Sequence, residues 1–300
     1  MPNKSRKEPL MPPKNKYQHY GELLSDQSEN KGIEKWYIQR FFMTGVFPHR
    51  DPKTRDYSIR DGYKKVTVSS GLDLNDLPIG IPYGSLPRLF MAYICTQAVR
   101  HREKKILLGK NLAVFLRELD LHNGGGPTGD ITRVKKQLRK FVNVSISYRI
   151  ETNVKEEAGG YRLTAKSVLF KGKNLGQEEI LDSYIILQDE FMCAILAQSV
   201  PLSMKVLKAL KQSPLALDLY MWLTARVYSP HMKNSFVSYN QIMNQCGGEY
   251  SNIYEFGRNV RAKLKTISRI WPELHYKEQR GGIKLLSSSQ SHIKPKNGKR

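Results

Sequence analysis

Residues 131–142 read ITRVKKQLRKFV, and residues 253–264 read IYEFGRNVRAKL. At 3.6 residues per turn, Ile131, Val134, Leu138 and Val142 form an apolar stripe, and Ile253, Phe256, Val260 and Leu264 form the same stripe at a constant offset. Lys136 and Arg139 correspond in the same way to Arg258 and Arg261. Asp130 suits the first turn of the first helix; Ser251 or Asn252 can cap the second, which Pro272 stops after Trp271. Beyond the helices the offset joins Glu156, Gly159, Gly160 and Leu163 to Glu278, Gly281, Gly282 and Leu285. The expected unit is a basic amphipathic helix followed by a strand pair that turns at Gly-Gly, present twice.

What precedes each copy extends the likeness. Pro87 leads the stripe Leu89, Phe90, Tyr93, Ile94, Ala98 and Val99; a helix near 112–119 follows, and then the breaker loop 123–129. Pro214 leads Leu215, Leu217, Leu219, Tyr220, Trp222 and Leu223; a strand at 236–239, a helix at 240–245 and wing strands at 274–277 and 283–286 follow. This order predicts an α+β, mainly helical fold of two tandem winged-helix domains with flexible basic tails. The expected boundaries are a tail at 1–32, an aromatic-rich segment at 33–80, a first domain with connecting helices around Pro201 at 81–212, a second domain at 213–288, and a tail at 289–300.

The 49 Lys and Arg against 27 Asp and Glu give a formal charge of +22, a field that draws polyanions, so double-stranded DNA is the expected partner. On the first helix Arg133, Lys136 and Lys140 fall opposite the apolar stripe, with Arg139 at the flank; on the second, Arg258, Lys265 and Arg269 do so, beside Tyr254 and Arg261. Arg133, Gln137, Arg258, Asn259 and Arg261 are the expected base readers, because Arg pairs with guanine and Asn or Gln with adenine. Lys136, Lys140 and Lys265 are expected on phosphates, and Arg162 and Lys284, beside the glycine pairs, on the minor groove or backbone. The second helix, richer in Arg and Asn, is expected to read sequence while the first anchors the backbone.

Catalytic and cofactor patterns are missing from the chain. It contains no GxxxxGK, no His-x-His and no His-x-x-Arg, which argues against a P-loop ATPase, a metal-dependent nicking enzyme and a tyrosine recombinase. No catalytic residue, cofactor or metal is therefore expected. Cys95, Cys193 and Cys246 are odd in number and far apart, so no disulfide framework follows, and Cys95 and Cys193 read as buried hydrophobes. There is neither a run of membrane-spanning length nor an apolar leader at the N-terminus, and the expected location is the cytoplasm.

Tyr83-Gly84-Ser85-Leu86-Pro87-Arg88, Leu108-Gly109, the 124–129 loop and above all the run from Ser213 to Thr224, SPLALDLYMWLT, resemble the RepA-type plasmid replication initiators of bacteria over about residues 80–288. The resemblance implies a noncatalytic protein that binds repeated sequences at a plasmid origin, distorts the duplex and recruits host initiation factors and helicase. It also implies a homodimer that exchanges with monomer, and repression of its own promoter. The competing expectations are a winged-helix transcriptional repressor, an origin-nicking or priming enzyme, and a nonspecific RNA or single-strand binder.

Overall fold

The computed structural model describes residues 34–109, 112–122, 124, 126, 129–169, 183–229, 234–246 and 250–293. The tail expected at 1–32 lies outside them. In chain order come β1 (Lys35–Gln39), a 3-10 turn (Arg40–Met43), β2 (Asp56–Asp61), β3 (Lys64–Ser69), α1 (Ser85–His101), β4 (Lys105–Leu107), α2 (Leu112–Glu118), α3 (Asp130–Val142), β5 (Ser145–Glu151), β6 (Glu156–Arg162), β7 (Thr164–Val168) and β8 (Tyr184–Leu187). The second half continues with α4 (Asp189–Ala197), β9 (Ser199–Ser203), α5 (Met204–Leu210), α6 (Pro214–Tyr228), β10 (Phe236–Ser238), α7 (Tyr239–Cys246), α8 (Ile253–Ile270), β11 (Tyr276–Gln279) and β12 (Gly282–Leu285). With 42% helix and 26% strand, the chain is mixed α/β, which corrects the expectation of a mainly helical protein.

Two helices organise the core. α6 starts where Ser213 Oγ accepts the Ala216 N–H and Pro214 supplies its fixed φ, and every residue from Leu215 to Thr224 is buried. α1 is buried from Leu86 to Thr96. A helix covered on all sides needs an unbroken apolar run, and both have one except for a single charge each, Arg88 and Asp218. Those two charges meet. Arg88 Nε and Nη2 donate to the two Asp218 oxygens at 2.5 and 2.6 Å, while Nη1 and Nη2 also donate to the carbonyls of Gly84 and Phe47 at 2.6 and 2.7 Å. His49 Nε2 lies 2.8 Å from Asp218 Oδ2 and 3.1 Å from the Cys246 carbonyl, and since both are acceptors it carries the proton.

The described strands form four antiparallel sheets: β1-β9, β2-β3-β5-β6, β4-β8-β7 and β10-β12-β11. The aromatic-rich segment packs inward: Trp36, Ile38, Phe42, Met43, Val46 and Phe47 are buried, and Phe41 and Phe42 reach Tyr148, Tyr161 and Phe191. Pro201, expected as a break between helices, sits inside β9 opposite Tyr37 of β1. Hairpin β2–β3 touches the second half, where Gln245 Nε2 donates to Asp61 Oδ1 at 3.3 Å and Gln245 Oε1 accepts from Trp222 Nε1 at 2.5 Å. Residues 289–293, expected in a tail, are packed: Ser289 and Ile293 are buried and the His292 ring stacks on Trp271 at 4.6 Å.

The duplication is clearest in the topology. α1-β4-α2-α3-β7-β8 and α6-β10-α7-α8-β11-β12 are the same order of elements, and the sheets β4-β8-β7 and β10-β12-β11 the same order of strands. The glycine pairing read from sequence is corrected by it. Gly281, with φ +79°, makes the β11–β12 turn, but Gly159 and Gly160 lie in the middle of β6, whose hairpin with β5 turns at residues 152–155. The strand pair that corresponds to β11–β12 is β7–β8, and β5–β6 is an insertion that joins β2–β3 in a separate sheet.

Two outcomes are expected. Asp218→Ala lowers unfolding free energy by about 3–5 kcal/mol in urea titration, since it strands the Arg88 charge, whereas Arg88→Met with Asp218→Leu recovers most of the loss. Burial against Trp271 pushes the His292 pKa from 6.5 down to about 3. The unfolded chain therefore takes up a proton that the fold refuses, and stability present above pH 6.5 is lost toward pH 3, at up to about 1.4 kcal/mol per pH unit. Melting curves of His292→Phe, compared with the parent over that window, are expected to be flatter.

Candidate nucleic-acid interface

α8 starts at Asn252, whose side-chain oxygen accepts the N–H groups of Tyr254 at 2.8 Å and Glu255 at 3.4 Å. Phe256, Val260, Leu264, Ile267 and Ile270 face the core. Gly257 allows α7 to lie close: a Cβ there would fall 2.9 Å from the Tyr239 ring. Arg261, half-buried, donates to the Tyr239 hydroxyl at 3.2 Å and lies over its ring at 5.7 Å, so α7 braces the guanidinium. Tyr254 is 85% exposed; Arg258, Lys265 and Arg269 are exposed and Asn259 half-buried. On the adjoining hairpin Lys284 is half-buried, between Phe236 of β10 and Lys277 of β11. Arg280, exposed beside the Gly281 turn, was missed by the sequence reading, although its place next to a Gly-Gly tip marks it.

α3 offers a smaller face. Thr132, Arg133, Lys136 and Arg139 are exposed. Arg133 Nη1 is held by Asp130 at 2.9 Å, and Thr132 Oγ1 donates to the Gly126 carbonyl at 2.8 Å. Two residues expected on this face are not on it. Gln137 and Lys140 are each 5% exposed, because the segment 79–83 folds over them. Gln137 Oε1 accepts the Tyr83 N–H at 2.9 Å, and Lys140 Nζ donates to the Ile81 carbonyl at 3.2 Å, lies 3.4 Å from Asp51 and sits 4.8 Å from the Tyr83 ring centre. Their polar groups hold a loop, and the expectation that they lie on the solvent face of α3 is corrected. Arg162 is exposed but ends β6 opposite Ser145, on the inserted sheet and away from any hairpin tip.

The outer face of the inserted sheet carries a further row unread from sequence, Arg60, Lys65 and Arg149, brought side by side by strand register. Arg149 is drawn toward Glu156 at 3.6 Å. Among the described residues no set of His, Cys, Asp and Glu side chains gathers to hold a metal ion, and no helix is long and apolar enough to cross a membrane. Cys193, expected to be buried, is exposed on α4, while Cys95 and Cys246 are buried and their thiol pKa values are pushed up by desolvation, Cys95 to about 12.

No curated protein sequence matches the chain. Among solved structures it is similar to a selenomethionine crystal structure of domains 2 and 3 of RctB, at 11% identity and TM-score 0.54, over 83% of this chain and 98% of that one. A second structure of RctB domains 2–3 aligns at 12% identity and TM-score 0.46, over 82% and 94%. At 11% identity the likeness to the first of these is one of fold. Residues 81–241, which run from the loop over Lys140 to α7 and include Arg88 and Asp218, match the family described as plasmid encoded RepA protein; this is more than half of the chain, and the chain belongs to that family.

Proposed function

We propose that the chain is a noncatalytic plasmid replication initiator that binds repeated origin sequences through two winged-helix modules, in the cytoplasm of its host. The observation that carries this reading is the repeat of one helix-strand-helix-helix-strand-strand order, each copy presenting an exposed cationic face on the helix before its strand pair. In a winged helix that helix enters the major groove and the strand pair reaches the neighbouring backbone. α3 and α8 would then occupy successive grooves, and holding both on one core raises the effective concentration of the second after the first has bound. Bending between the grooves supplies strain that favours opening of an adjacent A·T-rich stretch. Recruitment of host factors and a dimer–monomer exchange come to the proposal from family membership.

The division of labour follows from the side chains. α8 presents Tyr254, Arg258, Lys265 and Arg269, with Arg261 braced by Tyr239, so it is the better reader of bases. α3 has its Gln137 and Lys140 turned inward and Arg133 tied to Asp130, which leaves Lys136 and Arg139 for phosphates.

Footprinting on the parent plasmid tests the proposal: protection of repeated elements at the origin is expected. A single protected site at the chain's own promoter would favour a repressor, and uniform weak binding would favour a nonspecific binder. Arg258→Ala is expected to cost about 1–3 kcal/mol on the origin repeat and little on random DNA, whereas Lys136→Ala lowers the slope of log K against log salt by about one on both. Gln137→Ala leaves that slope alone and costs about 1 kcal/mol of stability, because the half-buried Tyr83 N–H loses its acceptor.

A further inference from the structure

Between β3 and α1 the chain reads Gly71-Leu72-Asp73-Leu74-Asn75-Asp76-Leu77-Pro78, and three leucines of this loop face solvent. Leu72 is 45% exposed, Leu77 59% and Leu74 103%. Isolated exposed leucines are common, but three within six residues form a patch of the kind that marks an interaction site.

The loop has a fixed shape. Asp73 Oδ1 accepts the N–H groups of Asn75 at 2.9 Å and Leu77 at 3.1 Å, and the Asp73 N–H donates to the Leu77 carbonyl at 2.8 Å. Leu72 and Pro78 bridge, and the Ile79 N–H donates to the Gly71 carbonyl at 2.9 Å. The base is seated on the end of α3, where a Cβ on Gly71 would lie 2.5 Å from the Asn143 carbonyl oxygen. The Asn75 and Leu77 donors hold the Asp73 pKa below its usual value, with Arg139 of α3 adding to the effect. A knob already closed by its own hydrogen bonds loses little backbone freedom on docking.

Its charge tells what it fits. From Val66 to Pro87 there is no Lys or Arg, in a chain where 49 of 300 residues are basic, and the acids of that stretch are Asp73 and Asp76. Leucines flanked by carboxylates suit a DNA groove poorly, since phosphates repel them. They suit an apolar groove with Lys or Arg at its rim. We infer that residues 72–77 are a docking knob through which the protein engages such a basic-rimmed apolar groove on a protein of the host replication machinery, an inference that rests on the initiator reading above.

The test uses the full chain carrying Leu74→Arg, with Leu74→Ala beside it. Leu74 is fully exposed, so thermal melting and origin footprinting are expected to match the parent, while plasmid establishment in the host falls by ~10-fold or more for Leu74→Arg. A photo-crosslinking side chain at position 74 is expected to join a host protein, and a cyclic peptide of residues 70–80, but not its Leu74→Arg form, to compete with that adduct. Three outcomes overturn the inference: unchanged establishment means a solvated loop, a parallel loss of origin affinity means a wedge in DNA, and an adduct of the chain with itself means a second copy as occupant. If the parent fails to bind origin DNA, the initiator reading falls by itself, and the adduct and its competition still decide whether the knob docks on a host protein.

Discussion

The Arg88–Asp218 pair is the constraint on which the relation of the two halves depends. It joins α1 to α6, and through the Phe47 carbonyl and His49 it also fixes the segment before the first half and the end of α7. A buried fork of this kind tolerates little displacement, because a slip of one helical turn would leave two unpaired charges in the core at a cost of several kcal/mol. The Asp61–Gln245–Trp222 chain of hydrogen bonds ties the same halves at a second place, with the Arg226 guanidinium stacked over Trp222 at 4.5 Å. Two ties make the halves one body, so the spacing between α3 and α8 is set by the core.

That rigidity suits the proposed mechanism. Two reading helices on a flexible linker would accept many spacings of their target; two on a shared core accept one, and any mismatch with straight DNA becomes bending of the DNA. The inserted sheet reinforces the arrangement, since its inner face packs Tyr148 and Tyr161 on the Phe41–Phe42 cluster while β2 reaches α7. The second half has no counterpart to that sheet among the described residues.

Much of the fold was legible in the sequence, for reasons that differ by element. The Ser213-Pro214 start, the Asn252 cap and the stripe from Phe256 to Ile267 are local signals, and local physics decides them. Gly159-Gly160 misled because a glycine pair serves a turn and a crowded strand equally well: here a Cβ on Gly159 would strike the Tyr148 ring. Gln137 and Lys140 occupy positions that a helical wheel assigns to solvent, and only the return of residues 79–83, more than 50 positions earlier in the chain, covers them. Arg88 reads as one cation in an apolar run, since its partner is 130 residues away. The exposed faces of α3 and α8 were foreseen in the main, whereas Arg280 and the Arg60–Lys65–Arg149 row depend on turn geometry and cross-strand register, which a one-dimensional reading does not supply.

The β1–β9 ribbon brings two short strands together, with one donor withheld on each outer rim. On one rim the Tyr37 N–H is already taken by Thr96 Oγ1 of α1 at 2.7 Å; on the other, Pro201 offers no N–H at all. A newly made chain therefore finds no donor at these two positions with which to zip onto a neighbour's strand. Under the proposed reading, in which copies of the chain would crowd onto clustered repeats of one DNA molecule, these two withheld donors remove two points at which strand addition between copies could begin.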